Sequence, residues 1–185
     1  MNAQPLRLPD TDPVTIRPIE PGDLSRMLAL CVEHARSIAH ERLPYGVARA
    51  DTFELVEALF DTPRRAWAWV AESGDELVGY VGATVDFSIL ERGNYVNLDY
   101  PFVRHAWRHI GVESHLFERV VALAKDTGCL YIQLQAPNWK TDVARLHGSS
   151  NVRRVEMVRY VLPVATGESP EPVLVSMGES QVVRR

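Results

Sequence analysis

The chain has 185 residues, 46% hydrophobic and 24% charged, the balance of an ordinary globular protein able to bury one sizeable core. Its formal net charge of −4 argues against nucleic acid as the main partner, and two cysteines, Cys31 and Cys129, read as reduced core thiols rather than a disulfide framework. The start, MNAQPLRLPDTDP, lacks the apolar run of a signal peptide and no stretch is long enough to span a bilayer, so a soluble, cytoplasmic protein is expected, with neither membrane nor nucleic acid as partner.

Residues 1–13 carry three prolines and read as a loose N-terminal arm. VTIRPI follows as a first strand, with Val14, Ile16 and Ile19 marking its apolar side. PGD breaks it and places Asp23 to N-cap a helix whose apolar face is Leu24, Met27, Leu28, Cys31, Ala35 and Ile38. After RLPYGVA a second helix begins near Asp51, with Glu54 completing a capping box, and buries Leu55, Val56, Leu59 and Phe60. The period then changes from helix to strand. AWAWVAE and LVGYVGATVDF read as two antiparallel strands joined by a tight Gly-Asp turn, with Trp67, Trp69, Tyr80 and Phe87 as core aromatics.

ERGN is a turn, and YVNLDYPFV reads as one further strand in which Pro101 marks a bulge. A helix is expected from about Ser114 to Thr127, with Leu116, Phe117, Val120, Val121 and Ala124 on its apolar face and Gly128 ending it. CLYIQLQAP is a strand, KTDVARLHG a short helix and VRRVEMVRYVLP a strand. The tail, residues 165–185, contains PVLVSM, expected as one last edge strand that leaves a homodimer open. The order β-α-α-β-β-β-α-β-α-β implies one α/β domain over residues 14–164. Its sheet is mixed and mostly antiparallel, flanked by helices, with one parallel pair required by the crossover.

VRHAWRHIGVES, from Val103 to Ser114, places Gly111 in a basic loop between strand and helix. A glycine-bearing loop that opens a helix aims several backbone N–H groups at one point, and the helix dipole adds roughly half a positive charge there. Arg104 and Arg108 supplement it, so a phosphorylated ligand is one reading and a basic surface turn the other. The histidines His34, His40, His105, His109 and His115 do not space three ligands onto one face, so no metal is expected.

NLDYPFVRHAWRHIGVES resembles motif A of the GNAT superfamily of acetyl-CoA-dependent N-acetyltransferases, a strand ending in Val-Arg before R/Q-x-x-G-x-G/A. Arg108 and Gly111 match the first two fixed positions, and Glu113 stands where the family has glycine or alanine. NWKTDVARLHGSSNV resembles the family's following strand end and helix, with Asn151-Val152 replacing the usual closing Gly-Phe. The resemblance implies a coenzyme A pyrophosphate cradle at Arg108, His109, Ile110, Gly111, Val112, Glu113 and Ser114. It implies a pantetheine arm paired with the backbone near Phe102 and Val103, and held also by Asn138.

It further implies acetyl-CoA as acyl donor, a small-molecule primary amine as acceptor, and direct transfer in a ternary complex. Acetyl transfer to an amine needs a base for the ammonium, a polarised thioester carbonyl and an acid for the departing thiolate. Asp99 resembles the family's glutamate base. His147 occupies the place of its tyrosine acid, with Tyr100 or water as the other proton source. Between the first two helices, Glu41, Arg42 and Tyr45 are candidates for the acceptor pocket. Glu113 and the missing tyrosine favour the alternative, a catalytically inactive acyl-CoA-binding module of the same fold.

Overall fold

A computed structural model describes residues 12–37, 52–99, 101–134 and 155, all within the first of the two units into which the chain divides, Met1–Val155. A strand Thr15–Pro18 (β1) leads through a 3-10 turn, Pro21–Asp23, into helix Leu24–Ser37 (α1). Helix Phe53–Phe60 (α2) follows, and then the long hairpin Ala66–Ser73 (β2) and Glu76–Ser88 (β3). Strands Gly93–Leu98 (β4) and Phe102–Val103 (β5), helix Val112–Asp126 (α3) and strand Ile132–Leu134 (β6) complete the described elements.

The sheet order is β1-β2-β3-β4-β6, with β5 also paired to β3. All pairings are antiparallel except β4 with β6, the parallel pair that the crossover through α3 demands. The Gly-Asp turn joins β2 to β3 as expected. Both faces of the sheet are covered. On one face α3 buries Val112, Leu116, Phe117, Val120, Leu123 and Ala124 against Val78, Val81, Ala83, Val96 and Leu98. On the other, α1 and α2 bring Met27, Leu30 and Leu59 onto Ala68, Val70 and Leu77. Each large apolar side chain so buried contributes roughly 1.5–3 kcal/mol relative to exposure.

Several local expectations are corrected. Asp23 does not N-cap α1. It is the third residue of the 3-10 turn and accepts a hydrogen bond from the Glu20 N–H at 2.9 Å. Its carboxylate is buried between Arg17 (2.5 and 2.9 Å) and Arg26 (2.5 Å), while Arg17 also holds Glu72 on β2 at 2.8 Å. The two arginines hold the Asp23 carboxyl well below the usual carboxylate range, the Arg17 hydrogen bond dominating. The N-cap of α2 is Thr52, which makes no side-chain capping bond, and Asp51, the other half of the expected capping box, lies outside the described residues. In α1 the buried face runs through Met27 and Leu30.

The helix expected from Ser114 begins two residues earlier, at Val112, and Gly128 follows its end with φ +64°. Trp67 and Trp69 pack on the α3-side core and Tyr80 on the α1 side, but Phe87 is 61% exposed. The expected helix and strands after Leu134, the tail, Ile38, and the segment carrying Glu41, Arg42 and Tyr45 lie outside the described residues. Among the described residues, no helix is long and apolar enough to cross a membrane.

Candidate active site

The single strand expected over YVNLDYPFV is interrupted. Leu98 stands opposite Ala83 and Phe102 opposite Tyr80. Four steps from Leu98 to Phe102 therefore match three from Ala83 to Tyr80, which leaves one extra residue, a β-bulge at the segment containing Pro101. The faces confirm it. Asp99 and Phe102, an odd number of residues apart, both turn toward α1. Asp99 donates its N–H to the Gly82 carbonyl at 3.0 Å and its Oδ2 lies over Gly82, while Phe102 packs with Leu30. A regular strand would place them on opposite faces.

β5 then lies tight against β3. A Cβ on Gly79 would come within 2.8 Å of the Phe102 carbonyl, so only glycine admits the approach. Arg104 donates its N–H to Val78 O at 2.9 Å, and by the alternation of an antiparallel ladder the N–H and C=O of Val103 turn away from β3. The Val103 carbonyl accepts from Arg108 Nε at 2.8 Å, which straps the following loop to the strand end.

The loop runs through a 3-10 turn, His105–Trp107, anchored by buried Trp107, and then turns sharply. His109 (φ +66°) and Gly111 (φ +96°) are both left-handed, a conformation that glycine adopts without steric cost and other residues adopt rarely. Gly111 is the N-cap of α3, and the first helical bond runs from His115 N–H to its carbonyl at 3.1 Å. The N–H groups of Val112, Glu113 and Ser114 therefore open at the helix end without helical partners, where the dipole favours an anion. His115 Nδ1 lies 2.8 Å from the same Gly111 carbonyl, so the imidazole helps to fix the cap. Glu113 sits in this first turn, half-buried.

Arg104 does not join the loop's cations. Its guanidinium pairs with Glu33 on α1 (2.6 and 2.9 Å) and with Glu76 on β3, and these carboxylates engage the charge that the sequence had assigned to an anion. Arg108 keeps no carboxylate partner among the described residues. Among the described residues, no group of His, Cys, Asp and Glu side chains is placed to hold a metal ion.

The family model for Acetyltransferase (GNAT) family matches residues 26–147. The chain belongs to the GNAT acetyltransferase family. The match runs from α1 through the bulge and the loop to the position of His147. No curated protein matches significantly.

Solved structures share the fold at low identity. An aminoglycoside acetyltransferase from an uncultured soil metagenomic sample, in complex with sisomicin, superposes with TM-score 0.64 at 16% identity over 81% of this chain and 97% of its own. Ribosomal-protein-alanine N-acetyltransferase from Brucella melitensis biovar Abortus 2308 gives 0.60 at 20% over 82% and 99%. Glucosamine-6-phosphate N-acetyltransferase from Arabidopsis thaliana gives 0.60 at 15% over 80% and 99%.

Within this GNAT chain the structure thus brings Asp99, Phe102, Val103 and the Arg108–Ser114 loop to one end of β4 and β5. Tyr100, Asn138 and His147 lie outside the described residues. On the face where Asp99 opens, the sequence reading passed over a polar group formed by His34, Cys31 and Tyr80. Its signal was available in the spacing of Cys31 and His34, one helical turn apart on the buried stripe of α1.

Proposed function

We propose that this GNAT chain moves an acetyl group from acetyl-CoA to the primary amine of a small molecule, by direct transfer in a ternary complex. The observation that carries the reading is the one-residue bulge, which turns Asp99 toward α1 and leaves the Val103 peptide facing away from β3, directly before the helix-opening loop. In this reading the N–H groups at the start of α3 and the Arg108 guanidinium receive the donor's pyrophosphate. His109 and Ile110 shape the approach to Gly111, and the outward-facing Val103 peptide next to Phe102, with Asn138, receives the pantetheine arm.

Asp99, directly or through water, takes a proton from the ammonium. The amine nitrogen then bonds to the thioester carbonyl carbon and the C–S bond breaks. His147 protonates the departing sulfur, with Tyr100 the other proton source. The amide nitrogen loses its second proton, so each turnover delivers one proton to solvent. The solved relatives' acceptors, an aminoglycoside and an amino sugar phosphate by their names, support a small polar amine, and the ribosomal-protein enzyme keeps a protein N-terminus in the test set.

The test is calorimetric titration with acetyl-CoA followed by a thiol-release assay across aminoglycosides, amino sugars, polyamines, amino acids and N-terminal peptides. Release with a small amine supports the reading. Binding without release from any acceptor would remove it.

A further inference from the structure

β5 carries the Val103 peptide of the proposed donor site, yet its ladder to β3 is short, Phe102 opposite Tyr80 and Val103 opposite Gly79. One more bond follows where the Arg104 N–H donates to the Val78 carbonyl at 2.9 Å. A strand with so few backbone bonds shifts easily unless side chains hold it. Along β5 the side chains alternate: Val103 enters the core beneath α3, while Phe102 and Arg104 face α1. One face of α1, spaced i, i+3, i+4, meets them. Leu30 packs on Phe102, the His34 ring stacks on it with centroids 5.0 Å apart at 22°, and Glu33 takes Arg104.

The Glu33 contact is a fork. Arg104 Nε donates to Oε2 at 2.9 Å and Nη2 to Oε1 at 2.6 Å, two charge-assisted bonds that fix direction as well as distance. Nη1 turns to Glu76 at the start of β3. The Arg104 carbonyl accepts from the Trp107 N–H at 2.9 Å, which begins the 3-10 turn leading on to Arg108 and Gly111. One residue therefore ties β3, α1 and the helix-opening loop together at a single point of the backbone. Both members of the fork stay partly exposed, their side chains 28% and 38% accessible, and pairs of that kind add little to global stability. What the fork supplies is a local constraint on β5.

We infer that Arg104 is a positioning residue for the acyl donor. Through its fork to Glu33 it holds β5 and the start of the loop where the Val103 peptide and the N–H groups of α3 receive acetyl-CoA. The inference rests on the acetyltransferase reading. A strand peptide and a helix end that must meet one ligand bind it tightly only when they already stand in register, because freedom between them is lost on binding. Charge acts in the opposite direction. Acetyl-CoA is an anion and Glu33 a carboxylate joined to the residue that opens the loop, so neutralising Glu33 would by electrostatics alone favour the donor. Positioning and charge thus give opposite signs for one substitution.

The test titrates acetyl-CoA calorimetrically into the full chain and into Glu33→Gln, Arg104→Gln, Glu76→Gln and the Glu33→Gln/Arg104→Gln double variant. Thermal melts and steady-state kinetics with an amine that turns over run beside it. Glu33→Gln and Arg104→Gln are each expected to weaken acetyl-CoA on the order of fivefold, with melting temperatures within a few degrees of wild type. At saturating donor kcat should move by less than about twofold, so that the loss lies in affinity. The double variant should lose no more than the poorer single one, because both remove the same fork. Glu76→Gln leaves the fork intact and should stay within about twofold of wild type. Tighter or unchanged binding in Glu33→Gln, additive losses in the double variant, or a loss in Glu76→Gln as large as that in Glu33→Gln would overturn the positioning role and leave the acetyltransferase standing. Absence of acetyl-CoA binding to the wild-type chain would overturn both.

Discussion

The carboxylate of Asp99 lies directly over the α-carbon of Gly82, so that a Cβ built there would stand 3.3 Å from Oδ2. That contact is tight but not forbidding, because a side-chain tip can yield a few tenths of an ångström. Gly82→Ala is therefore expected to keep its melting temperature within a few degrees while lowering kcat/KM on the order of tenfold, by tilting the proposed base. Asp99→Asn should lower kcat by roughly 10²–10⁴ with acetyl-CoA affinity unchanged. Steady-state kinetics beside thermal melts check both, and an unimpaired Asp99→Asn enzyme would remove Asp99 as the base.

Gly79 is a harsher case on the same strand. A Cβ there meets a backbone oxygen, Phe102 O, at 2.8 Å, together with Val103 Cγ2 at 3.1 Å. Neither yields without moving β5. Gly79→Ala is expected to destabilise the fold by about 1–3 kcal/mol, the usual cost of overpacking, and to weaken acetyl-CoA binding in the protein that remains folded. Denaturant melts compared with Gly82→Ala separate the two effects.

Much of this arrangement was legible in the residues. The hairpin turn, the crossover helix and its glycine stop, the parallel pair and the bulge at Pro101 follow from local chemistry: a Gly-Asp turn, 3.6-residue periodicity and a proline that cannot donate to a ladder. What escaped was non-local. Arg104 looks like a loop cation until Glu33, 71 positions away in the chain, claims it. Asp23 looks like a cap because Asp commonly caps, and only the fold brings Arg17 and Arg26 around it. His34 and Tyr80, 46 positions apart, acquire meaning only once α1 lies on β3.

The Arg17–Asp23–Arg26 cluster makes acid stability testable. The carboxyls of Asp23 and Glu72 are both held below their ordinary values, chiefly by Arg17. Between the folded and unfolded pKa values the unfolded chain binds more protons, so stability rises with pH there. The contribution is complete above the unfolded values of about 4 and is lost as pH falls through the depressed folded ones. Melting temperature should therefore drop steeply below about pH 4 in the wild type and less steeply in Asp23→Ala. At neutral pH that variant should be roughly 1–3 kcal/mol less stable, because the buried carboxylate's charged hydrogen bonds are lost while both partly exposed arginines keep Glu72. Equal slopes in the two proteins would show that the acid transition lies elsewhere.

Glu113 occupies the first turn of α3, where the dipole favours a carboxylate but a pyrophosphate would be a like-charged neighbour. Glu113→Ala is expected to tighten acetyl-CoA binding a few-fold and reduce its dependence on salt. Gly111 is a poorer probe of the same loop, because φ +96° strains any replacement whatever its charge. Titrations at two salt concentrations decide the matter, and weaker binding in Glu113→Ala would assign the side chain to ordering the loop.

The surplus residue between Leu98 and Phe102 makes the bulge a matter of chain length rather than of side-chain identity. Substitution at Pro101 can soften the bulge but cannot abolish it, because the count against β3 is unchanged. Deleting Pro101 would leave Asp99 opposite Gly82 and Phe102 opposite Tyr80, and would straighten the strand between them. Such a shortened chain would be a control of an unusual kind, with both flanking side chains kept in register and only the surplus residue removed.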